Sequence, residues 1–322
     1  MNTERLWLPA LVLVIALASF ACGGASPGEP GSATASISGS TASPPSPPAA
    51  ASPSAPKGSD VTGAIESGGM KRTYLLHLPP ASTRLQPTPV VLAFHGWPMT
   101  AERMADITHL SDVADAHGFA VVFPQGYGES WSVPGGLATP AREAGIDDVA
   151  FARSLLDSIG PQNQLDTSRA VATGISNGGH LTEALGCALA DHLVGIVPVA
   201  APLRGPANCA PSRPLSVLEI VGSDDQDAAT FQDTLAFWVH ADKCPGRPVS
   251  SSLPDVAKDD TTVTVAGFTG CLDVTEVTVY LVIGGGHAWP GGRPVGSTDE
   301  FGVTTHQFDA SELIWTFFSR HR

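Results

Sequence analysis

Charge is scarce in this chain, and positive charge is scarcer than negative. Only 15% of the 322 residues are charged, and 17 Lys and Arg stand against 31 Asp and Glu, which gives a formal net charge of −14. The sequence contains no basic cluster of the kind that neutralises phosphates, which argues against nucleic acid as a partner. A sparsely charged, acidic surface instead favours neutral substrates.

The first residues form an apolar run that contains no charge. Arg5 precedes this run, which covers residues 6–20, and Cys22 follows it closely. The pattern is typical of a bacterial export signal, so we predict a signal peptide or lipoprotein signal over residues 1–22. Gly23 and Gly24 after the cysteine favour lipidation of Cys22, with ordinary cleavage or an uncleaved anchor as alternatives. Two acyl chains would hold the protein on a membrane, and we expect no other contact with membranes.

Large apolar residues are nearly absent from residues 23–59. This segment consists almost entirely of Gly, Ala, Ser, Thr and Pro, a composition that predicts a disordered tether rather than a core. Residues 60–322 are then expected to form one catalytic domain, because α/β folds of about 250 residues commonly have a single core. A signal followed by a tether indicates an exported protein, either a cell-envelope lipoprotein or an extracellular one.

Cysteine is also rare, and it lacks the close C-x-x-C spacing that holds structural zinc. After Cys22 the remaining cysteines are an even set, which in an oxidising compartment predicts disulfides. Pairing between sequence neighbours, the favoured one of three possible arrangements, joins Cys187 to Cys209 and Cys244 to Cys271. We expect no metal and no cofactor.

The predicted domain alternates strand patterns with helical patterns. We expect an antiparallel edge strand over residues 72–78 and buried strands over residues 89–94, 119–123, 169–173, 193–199, 215–221 and 274–282. Helices are expected over residues 100–116, from Asp147 or Asp148 onwards, and over residues 177–190, 229–241 and from 309 onwards. This alternation predicts an α/β fold with a mainly parallel sheet and helices on both faces.

Residues 174–178 have the G-x-S-x-G pattern of a nucleophile elbow. The pattern alone is weak in a chain with 34 Gly, but here a strand precedes it and a helix follows it. That context places Ser176 on a strained turn between strand and helix, with its hydroxyl at the carboxyl end of the sheet. His287 stands in a second glycine-rich loop, after the last predicted strand, where the backbone is free to turn the imidazole inward.

A catalytic acid is expected on the turn between these two motifs. Asp224, Asp225 and Asp227 compete for that role, and only a carboxylate just past the strand can reach the imidazole. Spacing therefore favours Asp225, with Asp224 as the alternative and Asp227 interpreted as a helix cap. The order Ser176, Asp225, His287 is the chain order of the α/β-hydrolase fold.

Backbone N–H groups are expected to stabilise the oxyanion of an ester reaction. The elbow offers the N–H of Asn177, and the loop after the strand at residues 89–94 offers that of Trp97. His95 in the same loop is interpreted as structural. His180, on the helix that follows Ser176, is a poor candidate for the base because a helix holds it away from the elbow.

Several runs together resemble the family of polyhydroxybutyrate depolymerases and feruloyl or acetyl xylan esterases, including LpqC-type lipoproteins. They lie at residues 72–79, 123–126, 131, 145–151, 173–179, 222–225 and 285–292. The G-G-G-H-x-W-P-G-G loop is the most restrictive. The resemblance implies an α/β-hydrolase fold, no cofactor, and hydrolysis of carboxylic esters by Ser176, Asp225 and His287. Asp224 departs from the small residue that the family has beside its acid.

Trp97, Trp131 and Trp289 are expected to form an aromatic wall that binds a ferulate ring or a polyester chain. Core packing is the alternative for Trp131. Polyesters, feruloylated polysaccharides and acetylated glycans all remain open as substrates, and the sequence does not indicate an oligomeric state. Two other classes also remain: an envelope acyltransferase with the same triad, and a non-catalytic surface binding protein, which a complete triad argues against.

Overall fold

The computed structural model describes residues 56–81 and 83–321. The predicted signal over residues 1–22, its Cys22 and the tether as far as residue 55 lie outside these residues. Within the described part of the chain, no helix is both long enough and apolar enough to cross a membrane. The first strand begins at Ser59, where the predicted tether ends.

The described residues form one ten-stranded sheet with the order β1-β2-β4-β3-β5-β6-β7-β10-β9-β8. The strands are β1 Ser59–Ser67, β2 Met70–Leu78, β3 Thr88–Phe94, β4 Ala120–Pro124, β5 Leu165–Ile175, β6 Leu193–Val199, β7 Ser216–Gly222, β8 Val249–Ser252, β9 Thr262–Phe268 and β10 Val277–Ile283. The central strands from β4 to β10 pair in parallel, and antiparallel strands flank them on both sides. The α/β fold with a mainly parallel sheet is therefore confirmed.

Helices connect the parallel strands. They are α1 Ala101–Thr108, α2 Leu110–His117, α3 Pro140–Glu143, α4 Asp148–Asn163, α5 Asn177–Ala188, α6 Phe231–Ala241, α7 Thr298–Phe301 and α8 Ala310–His321. Every residue of β3, β4 and β7 is buried, as expected for strands that have helices on both faces. One apolar cluster contains side chains of α4, α5 and α6, and the other contains those of α1, α2 and α8.

The helix predicted over residues 100–116 is divided into α1 and α2. Thr100 caps α1 as expected, since its side chain accepts a hydrogen bond from the Arg103 N–H at 3.2 Å. His109 then adopts a left-handed conformation, with φ at 55°, between the two helices. The apolar periodicity continues across this break, so sequence pattern alone could not reveal it.

The strands at the two sides of the sheet were predicted less accurately than the central parallel strands. β2 is not an edge strand, because β1 pairs with it on one side and β4 on the other. No strand was predicted over the residues of β1, β8 or β9. Most residues of β1 and all residues of β8 are exposed, so backbone pairing rather than apolar burial defines these strands. β10 starts at Val277 instead of residue 274, because Leu272–Val274 forms a 3₁₀ turn.

Two disulfides are present in the described part of the chain, and they join Cys187 to Cys209 and Cys244 to Cys271. These are the sequence-near pairs that cysteine spacing favours. The first ties the end of α5 to the segment after β6, and the second ties the end of α6 to the turn before β10. Each bridge restricts a loop between core elements, which reduces the conformational entropy of the unfolded chain.

Candidate active site

Ser176 occupies the turn between β5 and α5. Its backbone has φ 57° and ψ −122°, a strained conformation for any residue with a side chain. Close contacts between backbone atoms require glycine at positions 174 and 178. A Cβ on Gly178 would lie 2.2 Å from the carbonyl oxygen of Phe94, and one on Gly174 would lie 2.6 Å from the carbonyl carbon of Gly178. The G-x-S-x-G pattern is therefore explained by the approach of α5 to β3.

His287 lies in the loop that follows β10. Its backbone N–H donates to the Phe301 carbonyl at 2.6 Å, and the Gly286 N–H donates to the Val303 carbonyl at 3.0 Å. A Cβ on Gly286 would lie 2.1 Å from the Phe301 oxygen, so only glycine fits there. The loop is thus held by residues 301–303 rather than being free, which fixes the direction of the imidazole.

Asp225 is the carboxylate that meets the imidazole. Its Oδ2 lies 2.8 Å from Nδ1 of His287, and its side chain is buried. Asp224 is exposed and accepts a hydrogen bond from the hydroxyl of Ser223 at 2.8 Å. Asp227 stands at the N-cap position of the 3₁₀ turn Ala228–Thr230, as expected, but its carboxylate makes no cap bond and instead accepts from Arg204 at 2.7 Å.

Ser176 and His287 line the same cleft at the carboxyl edge of the parallel strands. The cleft is also lined by Gly96, Trp97, Pro98, Met99, Arg103, Ile175, Val295 and Phe301. No hydrogen bond joins Ser176 Oγ to His287 Nε2 among the described residues, and the imidazole of His287 bonds to Asp225. In free enzymes such pairs are often long and shorten when substrate binds, so the arrangement suits a nucleophile and its base.

The two backbone N–H groups expected at the oxyanion belong to the residue after Ser176 and to Trp97, which lines the cleft. Asn177 is the first residue of α5, and the first N–H groups of a helix have no intrahelical acceptor. Trp97 follows β3, and a Cβ on its neighbour Gly96 would lie 3.5 Å from the Cβ of Ser176. The arrangement therefore brings the loop after β3 against the nucleophile, as an oxyanion site requires.

His95 stabilises that loop. Its Nδ1 lies 2.8 Å from the Gly96 carbonyl oxygen, and its Nε2 accepts from the Gly126 N–H at 3.0 Å. Burial lowers the pKa of His95 to about 4, although the Gly96 carbonyl opposes the shift. The ring is therefore neutral at physiological pH, with the Nδ1 hydrogen donated to Gly96. This agrees with a structural role.

Trp131 and Trp289 are fully buried, so their assignment to a substrate wall is wrong. The Trp131 indole donates to the His95 carbonyl at 2.8 Å, and its backbone N–H donates to Oδ1 of Asn177 at 2.7 Å. The Trp289 indole donates to the Ser311 hydroxyl at 3.1 Å. Trp97 is 41% exposed and lines the cleft. Residue type could not separate the buried indoles from the exposed one.

Arg72 and Asp148 form a buried ion pair that was not predicted from the sequence. The Arg72 guanidinium lies 2.7 Å from Oδ1 of Asp148, and the other oxygen of Asp148 accepts from the Ser132 N–H at 2.7 Å. Burial raises the pKa of Asp148, while Ser132 and Arg72 oppose the shift. Asp147 instead caps α4 through the Ala150 N–H. The adjacent pair Asp147-Asp148 was the only signal, and it indicated capping for either residue.

His180 is also buried, and it is close to the acid loop. Its Nδ1 lies 2.7 Å from the Pro202 carbonyl oxygen. Burial and, to a lesser extent, the Arg204 charge lower the pKa of His180 to about 4. The expectation that His180 is not the base agrees with this neutral, enclosed ring. Within the described residues, no cluster of three or more His, Cys, Asp or Glu side chains could hold a metal ion.

The parallel sheet, the serine on a strand-to-helix turn and the histidine with its acid define the class of α/β-hydrolases. Within that class, residues 72–203 match the family described as Esterase PHB depolymerase. The chain is a carboxylic-ester hydrolase, and the resemblance that its motifs indicated is confirmed.

Two relatives are named as esterases, and one solved structure shares the fold. NocK of Nocardia uniformis subsp. tsuyamanensis, a protein named as an esterase, is 29% identical over 90% of this chain and 93% of its own length. Feruloyl esterase B of Piromyces equi is 24% identical over 69% of this chain, which spans only 44% of that relative. Acetyl xylan esterase from Aspergillus awamori has the same fold, with a TM-score of 0.57 and 13% identity over 80% of this chain and 99% of that one.

Proposed function

We propose that the protein is an exported serine esterase in which Ser176, His287 and Asp225 form the catalytic triad. One observation carries the proposal. The imidazole of His287 is held at 2.8 Å by the buried carboxylate of Asp225, in a cleft that Ser176 also lines. A serine hydroxyl is a weak nucleophile at neutral pH, and an adjacent base oriented by an acid removes that limitation.

The reaction would proceed in two stages through an acyl-enzyme. His287 Nε2 accepts the proton of the Ser176 hydroxyl as Oγ attacks the ester carbonyl, and Asp225 stabilises the resulting imidazolium. The N–H groups of Asn177 and Trp97 would donate to the oxyanion. The imidazolium then protonates the leaving alcohol. Water, activated by the same imidazole, releases the acid and restores the serine.

The lining of the cleft suits an apolar acyl or alcohol group. Trp97, Met99, Val295 and Phe301 provide apolar surface beside Ser176. Flat rings bind such surfaces with little loss of conformational freedom, which fits a ferulate ring or a polyester chain. The family description names a polyhydroxybutyrate depolymerase and one relative is named a feruloyl esterase, so both substrate classes are proposed, together with acetylated polysaccharides.

Export is proposed from the composition of the N-terminal region. Residues 1–22 would be a lipoprotein signal that is cleaved before Cys22, so that Cys22 becomes the lipidated N-terminus, and residues 23–59 would be the tether that carries the catalytic domain of residues 60–322. The two disulfides support this, because such bonds persist in oxidising compartments. In a bacterial host, labelled palmitate should be incorporated into the wild type and not into Cys22→Ala. Equal incorporation would contradict lipidation at this residue.

The triad is tested by replacing the nucleophile. Ser176→Ala should abolish hydrolysis of p-nitrophenyl acetate and butyrate and abolish labelling by a fluorophosphonate, since both require the hydroxyl. Ser319→Ala on α8, whose hydroxyl is bonded within its own helix, is the matched control and should retain both activities. Labelling of Ser176→Ala at the wild-type rate would disprove the assignment. Methyl ferulate, acetylated xylan and hydroxybutyrate oligomers then separate the substrate classes.

A further inference from the structure

Both oxygens of the Asp225 carboxylate are occupied. Oδ2 faces His287 Nδ1 at 2.8 Å, and Oδ1 accepts a hydrogen bond from the Asp227 backbone N–H at 2.9 Å. The orientation of this carboxylate therefore depends on the position of the Asp227 backbone. Asp227 is half-buried between β7 and the 3₁₀ turn at Ala228–Thr230, and its carbonyl accepts from the Thr230 N–H at 3.0 Å.

Arg204 holds Asp227 through its side chain. Nη2 of Arg204 lies 2.7 Å from Oδ2 of Asp227 and 3.4 Å from Nε2 of His180. The Arg204 side chain is 26% exposed and that of Asp227 is 20% exposed, so solvent screens this ion pair only partly. Charge-assisted hydrogen bonds of this kind are short and directional, which suits a contact that must fix a loop.

His180 connects the pair to the helix of the nucleophile. It lies one turn beyond Ser176 on α5, and its backbone N–H donates to the Ser176 carbonyl at 2.8 Å. Because Nδ1 of His180 donates to the Pro202 carbonyl, Nε2 is the acceptor that faces Arg204. A continuous series of contacts thus runs from the helix of Ser176, through His180, Arg204 and Asp227, to Asp225.

We propose that Arg204 is a positioning residue for ester hydrolysis, which acts by anchoring Asp227 so that Asp225 holds His287 in line with Ser176. The inference rests on the proposed triad. Loss of the anchor would leave the Asp227 backbone held only by Thr230, so that its N–H could move away from Oδ1 of Asp225. A misplacement of about 1 Å in a catalytic group can lower the rate about a hundredfold. Loss of the anchor should therefore lower kcat.

The test compares Arg204→Met, Arg204→Lys and Arg213→Met in the intact chain. Arg204→Met should lower kcat by about tenfold to a hundredfold with KM nearly unchanged, and should slow fluorophosphonate labelling in parallel. Arg204→Lys should recover most of the rate, because one nitrogen of Arg204 serves both partners and an ammonium can replace it. Arg213 donates to the Leu193 carbonyl at 2.7 Å near the amino end of β6, so Arg213→Met should retain wild-type kcat.

A second variant separates positioning from folding. Asp227→Asn keeps the backbone N–H but removes the charge, so kcat should fall in the same direction. The double variant Arg204→Met/Asp227→Asn should then lose little more than either single variant, because both break one contact. Additive losses would overturn the proposal, as would a fall in Tm with wild-type kcat, or equal rates for Arg204→Met and Arg204→Lys. If the wild type itself resists fluorophosphonate, the proposed triad fails instead.

Discussion

His287 and Asp225 are joined by a 2.8 Å contact between Nδ1 and Oδ2, while the adjacent Asp224 is exposed and bonded to Ser223. The two aspartates are neighbours in sequence but face opposite environments. Asp225→Asn should therefore lower kcat by about four orders of magnitude, because an amide cannot hold the imidazole in the productive tautomer. Asp224→Asn is the matched control and should hydrolyse p-nitrophenyl butyrate at nearly the wild-type rate. The reverse result would make Asp224 the catalytic acid.

Trp97 is expected to contribute to substrate binding through its side chain. It is 41% exposed and lines the cleft, whereas Tyr127 is 44% exposed and lies elsewhere on the surface. An aromatic contact contributes about 1 kcal/mol, so Trp97→Ala should lower kcat/KM for methyl ferulate about fivefold. Tyr127→Ala should leave it unchanged. Equal effects of the two substitutions on kcat/KM would show that the cleft does not use the indole.

Gly178 is predicted to tolerate no side chain. A Cβ there would lie 2.2 Å from the Phe94 oxygen and 2.4 Å from the His95 oxygen, and both are backbone atoms that cannot move alone. Gly178→Ala should lower the free energy of unfolding by about 1 to 3 kcal/mol or more and reduce esterase activity.

Gly267 in β9 is the matched control for Gly178, because its added Cβ would lie 3.4 Å from the Thr278 hydroxyl. The free energy of unfolding of Gly267→Ala should lie within about a few tenths of a kcal/mol of the wild-type value. Urea denaturation of both variants checks this. A Gly178→Ala protein as stable as Gly267→Ala would refute the close-contact explanation of the elbow.

Stability should fall as pH rises through neutrality because two carboxyls are buried together. Glu183 accepts from the Trp238 indole at 2.8 Å, and burial raises the pKa of Glu183 from 4.5 to about 7. Burial and the nearby Glu183 raise the pKa of Glu219 well above 4.5. The unfolded chain releases these protons near pH 4.5 and the folded chain holds them to higher pH. The contribution of these two carboxyls to the free energy of unfolding therefore decreases as pH rises above about 4.5, whereas His95 and His180, whose pKa burial lowers from 6.5 to about 4, contribute in the opposite direction below pH 6.5.

This pH dependence is measured by urea denaturation at pH 5 and pH 8. Glu183→Gln should show a smaller loss of stability between the two values than the wild type, because one of the buried acids has been removed while an acceptor for Trp238 remains. Glu300→Gln, at an exposed site on α7, should behave as the wild type does. An unchanged pH dependence in Glu183→Gln would mean that the pair does not control it.

The local sequence pattern was sufficient to predict elements whose structure depends on nearby residues. The run before Ser176 forms β5 and the residues after it form α5, because apolar periodicity and flanking glycines act within a few residues. The order of serine, acid and histidine motifs also follows from the chain alone, since it reflects the order of the strands. Pattern failed at β1 and β8, whose exposed residues carry no apolar signal.

Tertiary structure determined the features that depend on contacts between distant segments of the chain. Trp131 and Trp97 have the same side chain, yet one is buried against His95 and the other faces the cleft, because packing between loops and not residue type sets exposure. Capping was expected of Asp147 or Asp148 and of Asp227, but Arg72 binds the carboxylate of Asp148 and Arg204 binds that of Asp227, each from a remote part of the chain. Sequence by itself determined the fold class and the candidate catalytic side chains. Only the folded chain determined their partners, because charges and hydrogen bonds depend on distances that the sequence does not contain.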